Sequence, residues 1–278
     1  SPGIRVGVDI GGTFTDLVFL TPNGQLEKLK VPSTPDDYAE AIVAGIRDVL
    51  QDSDMFIDEV VHATTVATNA ILERRGARTV LITTAGFRDV LELRRIRIPL
   101  SYDLGWEKPP PLAERALRFE VTERLDSTGI VLTPLDMSGL DAIVETCFAE
   151  KVTAIAVCFL HSYRNAAHEQ RVRDFIEPKL PGVHISLSSD ILPELQEFER
   201  TSTTVVNAYV APLIAEYLAN LRRKLDSIDI AAPILVMQSN GGLVPSQTAS
   251  ERPVSIIESG PAAGVVAALR ASLDAGQQ

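Results

Sequence analysis

Two aspartates bracket a glycine turn near the start of the chain, in Asp9-Ile10-Gly11-Gly12-Thr13-Phe14-Thr15-Asp16. Gly11 and Gly12 lack a Cβ, so their N–H groups can turn toward a ligand and the backbone can approach it closely, which suits a phosphate oxygen. Thr13 and Thr15 add hydroxyl donors on either side of the turn. Bare carboxylates repel phosphate. Asp9 and Asp16 are therefore expected as partners of a hydrated Mg2+ ion, with Asp9 holding it through water, or of a water positioned for phosphoryl chemistry. A Walker loop would end in Gly-Lys-Ser/Thr and open a helix, and a dinucleotide fingerprint would carry a third glycine that opens a helix; neither follows this turn. The plain alternative is an ordinary Gly-Gly hairpin at a sheet edge.

Further stretches carry chemistry of their own. Asn240-Gly241-Gly242 is a tight-turn signal after an apolar strand. In Glu258-Ser259-Gly260-Pro261-Ala262-Ala263-Gly264, Ser259 is expected to cap a helix whose free N–H groups, from Gly260 on, receive an anion. The threonines of His62-Ala63-Thr64-Thr65-Val66-Ala67-Thr68-Asn69 sit where a strand turns into a helix. There they either offer hydroxyls to a ligand or only cap the helix. Arg200 either binds a phosphate or carboxylate or forms a surface ion pair with Glu197 or Glu199. His62, His161, His168 and His184 show no metal-ligand spacing, and Cys147 and Cys158 lie in apolar segments as reduced core residues.

The elements that must position these groups follow from periodicity and turn residues. Arg5–Asp9, Thr15–Leu20 and Gln25–Val31 read as a three-stranded meander, followed by a helix that starts at Thr34 and Pro35 and runs to about Leu50. Glu59–Ala63 and Thr79–Thr83 are short strands, with a helix between them ending near Gly76 and another over Gly86–Leu93. The Arg- and Pro-rich segment from Arg94 to Arg115 is either a lid over a cleft or a packed connector. Strands at Phe119–Arg124, Ala154–Leu160 and His184–Leu187 alternate with helices at Pro134–Glu150 and Ala166–Leu180, a βα alternation that implies a parallel sheet. A long helical region spans Glu194–Leu225, kinked or restarted at Pro212, and a strand follows at Ile234–Gln238. The expected fold class is α/β.

The chain has 278 residues, 45% hydrophobic and 23% charged, enough for one large or two medium domains with real cores. A net charge of -11 argues against binding nucleic acid or an anionic membrane through bulk electrostatics. No apolar run reaches a membrane span and the first residues lack the pattern of a signal peptide, so the expected location is the cytoplasm.

Asp-x-Gly-Gly-Thr-x-Thr-Asp resembles the first phosphate hairpin of the actin, hexokinase and Hsp70 superfamily of ATPases, and the meander-then-helix order resembles their ribonuclease-H-like lobe. The resemblance extends to a family, hydantoinase A/5-oxoprolinase. It is carried by Asp9–Asp16, His62–Glu73, Thr84–Glu92, Phe159–Tyr163 with Ala167-His168-Glu169, Glu199–Thr203, Asn207-Ala208-Tyr209, Ser239–Gly242 and Ser259–Gly264. It implies a ribonuclease-H-like mixed sheet with flanking helices, an amino-terminal domain over 1–190 and the start of a second ATPase lobe over 191–278. It also implies an ATP- and Mg2+-dependent enzyme that opens a cyclic amide by phosphorylating its carbonyl oxygen, working with a B-type subunit, with assembly into a homo-oligomer left open. Asp9 and Asp16 then carry the chemistry, and Gly11, Gly12, Thr13, Thr15, Asn240, Gly241, Gly242 and Gly260 hold the nucleotide.

Family members carry a second Asp-x-Gly-Gly-Thr/Ser loop after the Gly-Pro-Ala-Ala-Gly helix, and this sequence ends at Gln278 before it. An amino-terminal fragment, inactive alone, is therefore expected. Ketone carboxylase subunits share every motif quoted and remain an alternative, as does a non-catalytic assembly or recognition module. Sugar kinases of the repressor type share Asp-x-Gly-Gly-Thr, but their cysteine-rich zinc motif and Glu-x-Gly-His segment are absent here.

Overall fold

The computed structural model describes residues 3–34, 37–50, 56–95, 102–103 and 105–275. Pro35, expected in the first turn of a helix, and Pro99 of the Arg- and Pro-rich segment lie outside them. In chain order the elements are β1 (Ile4–Ile10), β2 (Phe14–Leu20), β3 (Leu26–Pro32), α1 (Tyr38–Leu50), β4 (Ile57–Thr64), α2 (Val66–Leu72), β5 (Thr79–Thr84) and α3 (Val90–Leu93). Next come β6 (Arg118–Val121), β7 (Arg124–Leu125), β8 (Val131–Thr133), α4 (Leu140–Ala149), β9 (Ala154–Cys158), α5 (Ala167–Ile176), β10 (His184–Leu187) and α6 (Ser188–Ile191). The last are α7 (Glu197–Asp226), β11 (Ile234–Met237), β12 (Leu243–Pro245), α8 (Ser246–Glu251) and α9 (Ser259–Asp274).

These elements form two compact units, one of residues 1–73 with 213–278 and the other of residues 74–212. The first is built on a mixed sheet ordered β12-β11-β4-β1-β2-β3. Its amino-terminal meander is antiparallel, while β4 runs parallel to β1 and β11 parallel to β4. In β1 the apolar side chains Ile4, Val6, Val8 and Ile10 alternate with Arg5, Gly7 and Asp9, so one sheet face is core and the other holds the chemistry. Helix α1 packs on β2 and β3, burying Ala39, Ile42, Val43 and Ile46. Gly45 allows that approach, since a Cβ there would stand 3.0 Å from Leu17 and 3.3 Å from Leu29.

The second unit holds a parallel sheet ordered β10-β9-β5-β6, the arrangement expected from the βα alternation. Its fully buried strands β5 and β9 pack Val80, Ile82, Ile155 and Val157 against Leu140, Val144, Val172 and Ile176 of α4 and α5. Each such side chain contributes roughly 1.5–3 kcal/mol relative to exposure. Gly76 precedes β5 where the backbone meets α7: Ala77 N–H donates to the Tyr209 carbonyl at 2.8 Å, and a Cβ on Gly76 would lie 2.1 Å from the Tyr209 ring. Gly76→Ala is therefore expected to lower stability by about 1–3 kcal/mol through overpacking. A drop in the urea midpoint with an unchanged slope would show it.

Several elements differ from expectation. Helix α7 does not restart at Pro212 but continues through it. The helix expected from Pro134 begins only at Leu140, because the Asp136 carboxylate accepts the Ser138 N–H and holds a turn there. The helix expected over Gly86–Leu93 is reduced to Val90–Leu93, since Gly86 has φ +88° and its N–H is taken by Glu120. Residues from 213 on share the first sheet through β11 and β12. Pairing between strands so distant in sequence leaves no local signature.

Candidate functional site

Strands β1, β4 and β11 are parallel neighbours, so the turns that leave their carboxyl ends lie along one edge of the first sheet. These are the Gly11-Gly12 turn after β1, Thr64-Thr65 after β4 and Ser239–Gly242 after β11. Open α/β sheets place ligands along this edge.

The first turn is closed by Gly11 N–H donating to the Phe14 carbonyl at 3.0 Å. Neither Gly11 nor Gly12 has a left-handed backbone. Their lack of a side chain matters for access: a Cβ on Gly12 would meet no atom of the protein within 4 Å, while one on Gly11 would lie 3.0 Å from the Phe14 carbonyl. Thr13 is exposed. Thr15, expected as a ligand hydroxyl, is fully buried and 2.9 Å from the Ser33 hydroxyl. Ser33 donates its own proton to the Gly11 carbonyl at 2.8 Å, so Thr15 is the donor in that pair. Both side chains brace the turn from beneath, a role of Ser33 that sequence reasoning missed.

Asp9 and Asp16 face each other directly across β1 and β2, and Asp16 faces Lys30 across β2 and β3. Lys30 Nζ lies 3.1 Å from Asp16. Cross-strand partners share a face, so this is an acid–acid–base row in which, among the described residues, only Asp16 is paired with a cation. Desolvation first, and then the charge of Asp16, raise the Asp9 carboxyl above its ordinary range. Two opposed carboxylates beside an open glycine turn are hard oxygen donors that fit a hydrated Mg2+ ion.

Helix α9 begins against this row. A Cβ on Gly260 would stand 3.9 Å from Asp9 Oδ1 and 3.9 Å from Thr65. Ser259 is not a cap; it is the first helical residue, fully buried, accepting the Thr64 N–H at 3.2 Å and donating to the Thr64 carbonyl at 3.0 Å. Thr68 donates to the Ile257 carbonyl, and the Ser239 hydroxyl accepts the Glu258 N–H at 3.3 Å. The threonines are thus fasteners: Thr65 bonds the Ile10 carbonyl at 3.1 Å, and Thr64 Oγ1 accepts the Val66 N–H. In the third turn Asn240 Oδ1 accepts the Gly242 N–H at 2.9 Å, and Gly241 at φ +84° packs close to Val266 of α9.

Beneath the site His62 is fully buried, its Nε2 2.7 Å from the Tyr217 hydroxyl. Burial raises the Tyr217 pKa, so the phenol keeps its proton and donates it, leaving the imidazole proton on Nδ1. Burial pushes His62 down to about 4. Between pH 6.5 and about 4 the unfolded chain binds a proton at His62 that the folded chain does not, so stability falls as pH drops through that window. The loss amounts to roughly 3 kcal/mol. Thermal melts across it should show a shallower pH dependence for His62→Gln than for the unchanged chain.

A mixed sheet opened by a hairpin meander, flanked by helices and bearing turns along its carboxyl edge, is the ribonuclease-H-like class of α/β protein expected from the sequence. The chain belongs to the hydantoinase/oxoprolinase family: the family's N-terminal region profile matches residues 5–180, and the Hydantoinase/oxoprolinase profile matches residues 200–278. It is 36% identical over 274 residues to caprolactamase subunit alpha of Pseudomonas jessenii, covering 95% of this chain and 39% of that one. To 5-oxoprolinase 1 of Arabidopsis thaliana it is 34% identical over 297 residues, covering 95% and 23%. The chain thus spans less than half the length of these relatives. The crystal structure of the ATP-dependent caprolactamase superposes with a TM-score of 0.88 at 34% identity, over 98% of this chain and 41% of that one. Nucleotide-free acetone carboxylase, from a study of ATP-dependent acetone carboxylation, gives 0.87 at 26% identity, over 99% and 41%.

Proposed function

We propose that the chain is the amino-terminal part of an A-type subunit that uses ATP to open a cyclic amide such as a hydantoin, 5-oxoproline or a lactam. The observation that carries the reading is the meeting of the Asp9–Asp16 row, the Gly12 turn and the start of α9 at one sheet edge. An unstrained amide is a poor electrophile. Attack of its carbonyl oxygen on the γ-phosphorus releases ADP and leaves a phosphorylated imidate. Water then adds to the imidate carbon, the ring C–N bond of the tetrahedral adduct breaks with its nitrogen taking a proton, and a second water releases phosphate from the resulting acyl phosphate to give the ring-opened acid. Phosphoryl transfer needs mainly positioning and charge neutralisation. Here the open backbone of Gly12, the Thr13 hydroxyl and the first turn of α9 at Gly260 receive phosphate oxygens, with Gly11, whose N–H closes the turn, behind them and Asn240, Gly241 and Gly242 forming the adjoining wall. Mg2+, held through water by Asp9 with Asp16 nearby, supplies the neutralising charge. A B-type partner subunit completes the hydrolytic step, and the setting is cytoplasmic.

A second reading, ketone activation before carboxylation, is favoured by the likeness to acetone carboxylase. Phosphate release from ATP, measured on the subunit that carries this chain together with its partner, separates the two. Stimulation by caprolactam, 5-oxoproline or hydantoin supports the amidase reading, and stimulation by acetone with bicarbonate supports the carboxylase. No stimulation by any of them leaves a non-catalytic recognition module as the better account.

A further inference from the structure

Arg200, in the second unit, plays no part in the site above. It lies in the first turns of α7 and is 1% exposed. The surface ion pair with Glu197 or Glu199 that its position suggests does not form; Glu199 is held by Arg95 instead. Arg200 Nη1 donates to the Ser162 hydroxyl at 2.9 Å, while Nε is buried without a partner. Among the described residues no carboxylate pairs with it.

A counter-charge acts at a remove. Glu169, fully buried, accepts the Phe159 N–H at 2.9 Å, the Ser189 N–H at 2.9 Å and the Ser188 hydroxyl at 2.6 Å. Because Ser188 spends its proton on Glu169, the 2.9 Å contact between Ser162 and Ser188 is donated by Ser162. Ser162 therefore turns its lone pairs to Arg200, which fixes the guanidinium through Nη1 alone. The Tyr163 ring lies 5.4 Å from the guanidinium carbon, and Ser189 Oγ is a second buried polar atom without a partner.

The chain itself shows what the remaining edge of a guanidinium takes. Arg115 presents Nε and Nη2 to the two oxygens of Asp89, at 2.9 and 3.0 Å, and Arg95 presents the same pair to the two oxygens of Glu199. This fork is the planar, side-on clasp for a carboxylate. Arg200 spends Nη1 on a serine and keeps its Nε/Nη2 edge. Ser162 and Ser188 lie just past the carboxyl ends of the parallel strands β9 and β10, where α/β sheets bind ligands. We propose that Arg200 binds the carboxylate of a small-molecule ligand side-on through Nε and Nη2, held in place by the Ser162–Ser188–Glu169 relay. The assignment stands on the second unit alone and is independent of the ATP reading.

The test is calorimetric titration of the 278-residue chain with sodium acetate, and separately with sodium phosphate, at ionic strength fixed by sodium chloride. Arg200→Lys and Arg200→Met are run beside it, with circular dichroism to check folding. The expected result is saturable acetate binding, at least tenfold weaker in Arg200→Lys and absent in Arg200→Met. The latter should melt at or above the unchanged chain, because an underpaired buried cation has been replaced by an apolar group of similar length. If Arg200→Met does not fold, the Arg200→Lys comparison decides. No acetate binding by the unchanged chain, binding unaltered in Arg200→Lys, or preferential binding of phosphate overturns the proposal. So does an Arg200→Met chain that folds but melts far below the unchanged one.

Discussion

Asp9→Ala in the subunit carrying this chain is expected to cut ATP-dependent turnover by roughly two to three orders of magnitude while leaving the melting temperature unchanged or slightly higher. Asp9 is exposed, forms no ion pair among the described residues and faces the like charge of Asp16. Its raised carboxyl pKa means that folding disfavours its ionised form, so removing the group relieves a small strain of the folded state. Gly12→Val tests the same idea from the other side. A Cβ there meets no protein atom within 4 Å, so the branched side chain is expected to block a phosphate without disturbing the turn. Steady-state phosphate release and thermal melts on both variants check this. If both lose stability with activity, the hairpin is a structural turn.

Glu169→Ala is expected to be among the most damaging substitutions to the fold, costing on the order of 3–5 kcal/mol. The carboxylate is fully buried and satisfies three donors, the N–H groups of Phe159 and Ser189 and the hydroxyl of Ser188. Each orphaned donor costs about 1–3 kcal/mol, and the methyl of alanine replaces none of the lost bonds. Loss of the relay also releases Ser162 from the geometry that holds Arg200. Glu169→Gln keeps one acceptor oxygen but turns an amide toward an N–H donor, so an intermediate loss is expected. Urea denaturation of the two variants orders them; equal and small losses would show that water enters and solvates the donors.

Much of this architecture was legible because it is local. The alternation in Val6, Val8 and Ile10 marks β1, Pro22-Asn23-Gly24 marks the next turn, and the apolar runs at Thr79–Thr84 and Ala154–Cys158 mark buried strands. Asp9 and Gly260, far apart in sequence, lie close together in the first unit. What could not be read was which face each hydroxyl takes and which distant strand each strand pairs with. Thr15 points inward to Ser33, Ser259 fastens α9 to β4 rather than capping it, and Arg200 is buried although its neighbours suggested a surface pair. In each case a long-range contact outbids a local motif of the right composition.

The parallel pairing of β11 with β4 sets an order of events during synthesis. Val60 leaves the ribosome long before its partner Ile234 exists, so the outer side of β4 has no neighbour while the intervening chain is made. Residues 74–212 form a contiguous unit with its own parallel sheet and can fold in that interval. The first unit is completed only when β11 and β12 are laid against the waiting edge, a non-local closure that is slow by nature. An unpaired strand edge is also where chains stick to one another. Heterologous expression should therefore reward slow growth and low temperature, and truncation before residue 234 should yield aggregates rather than a smaller soluble protein.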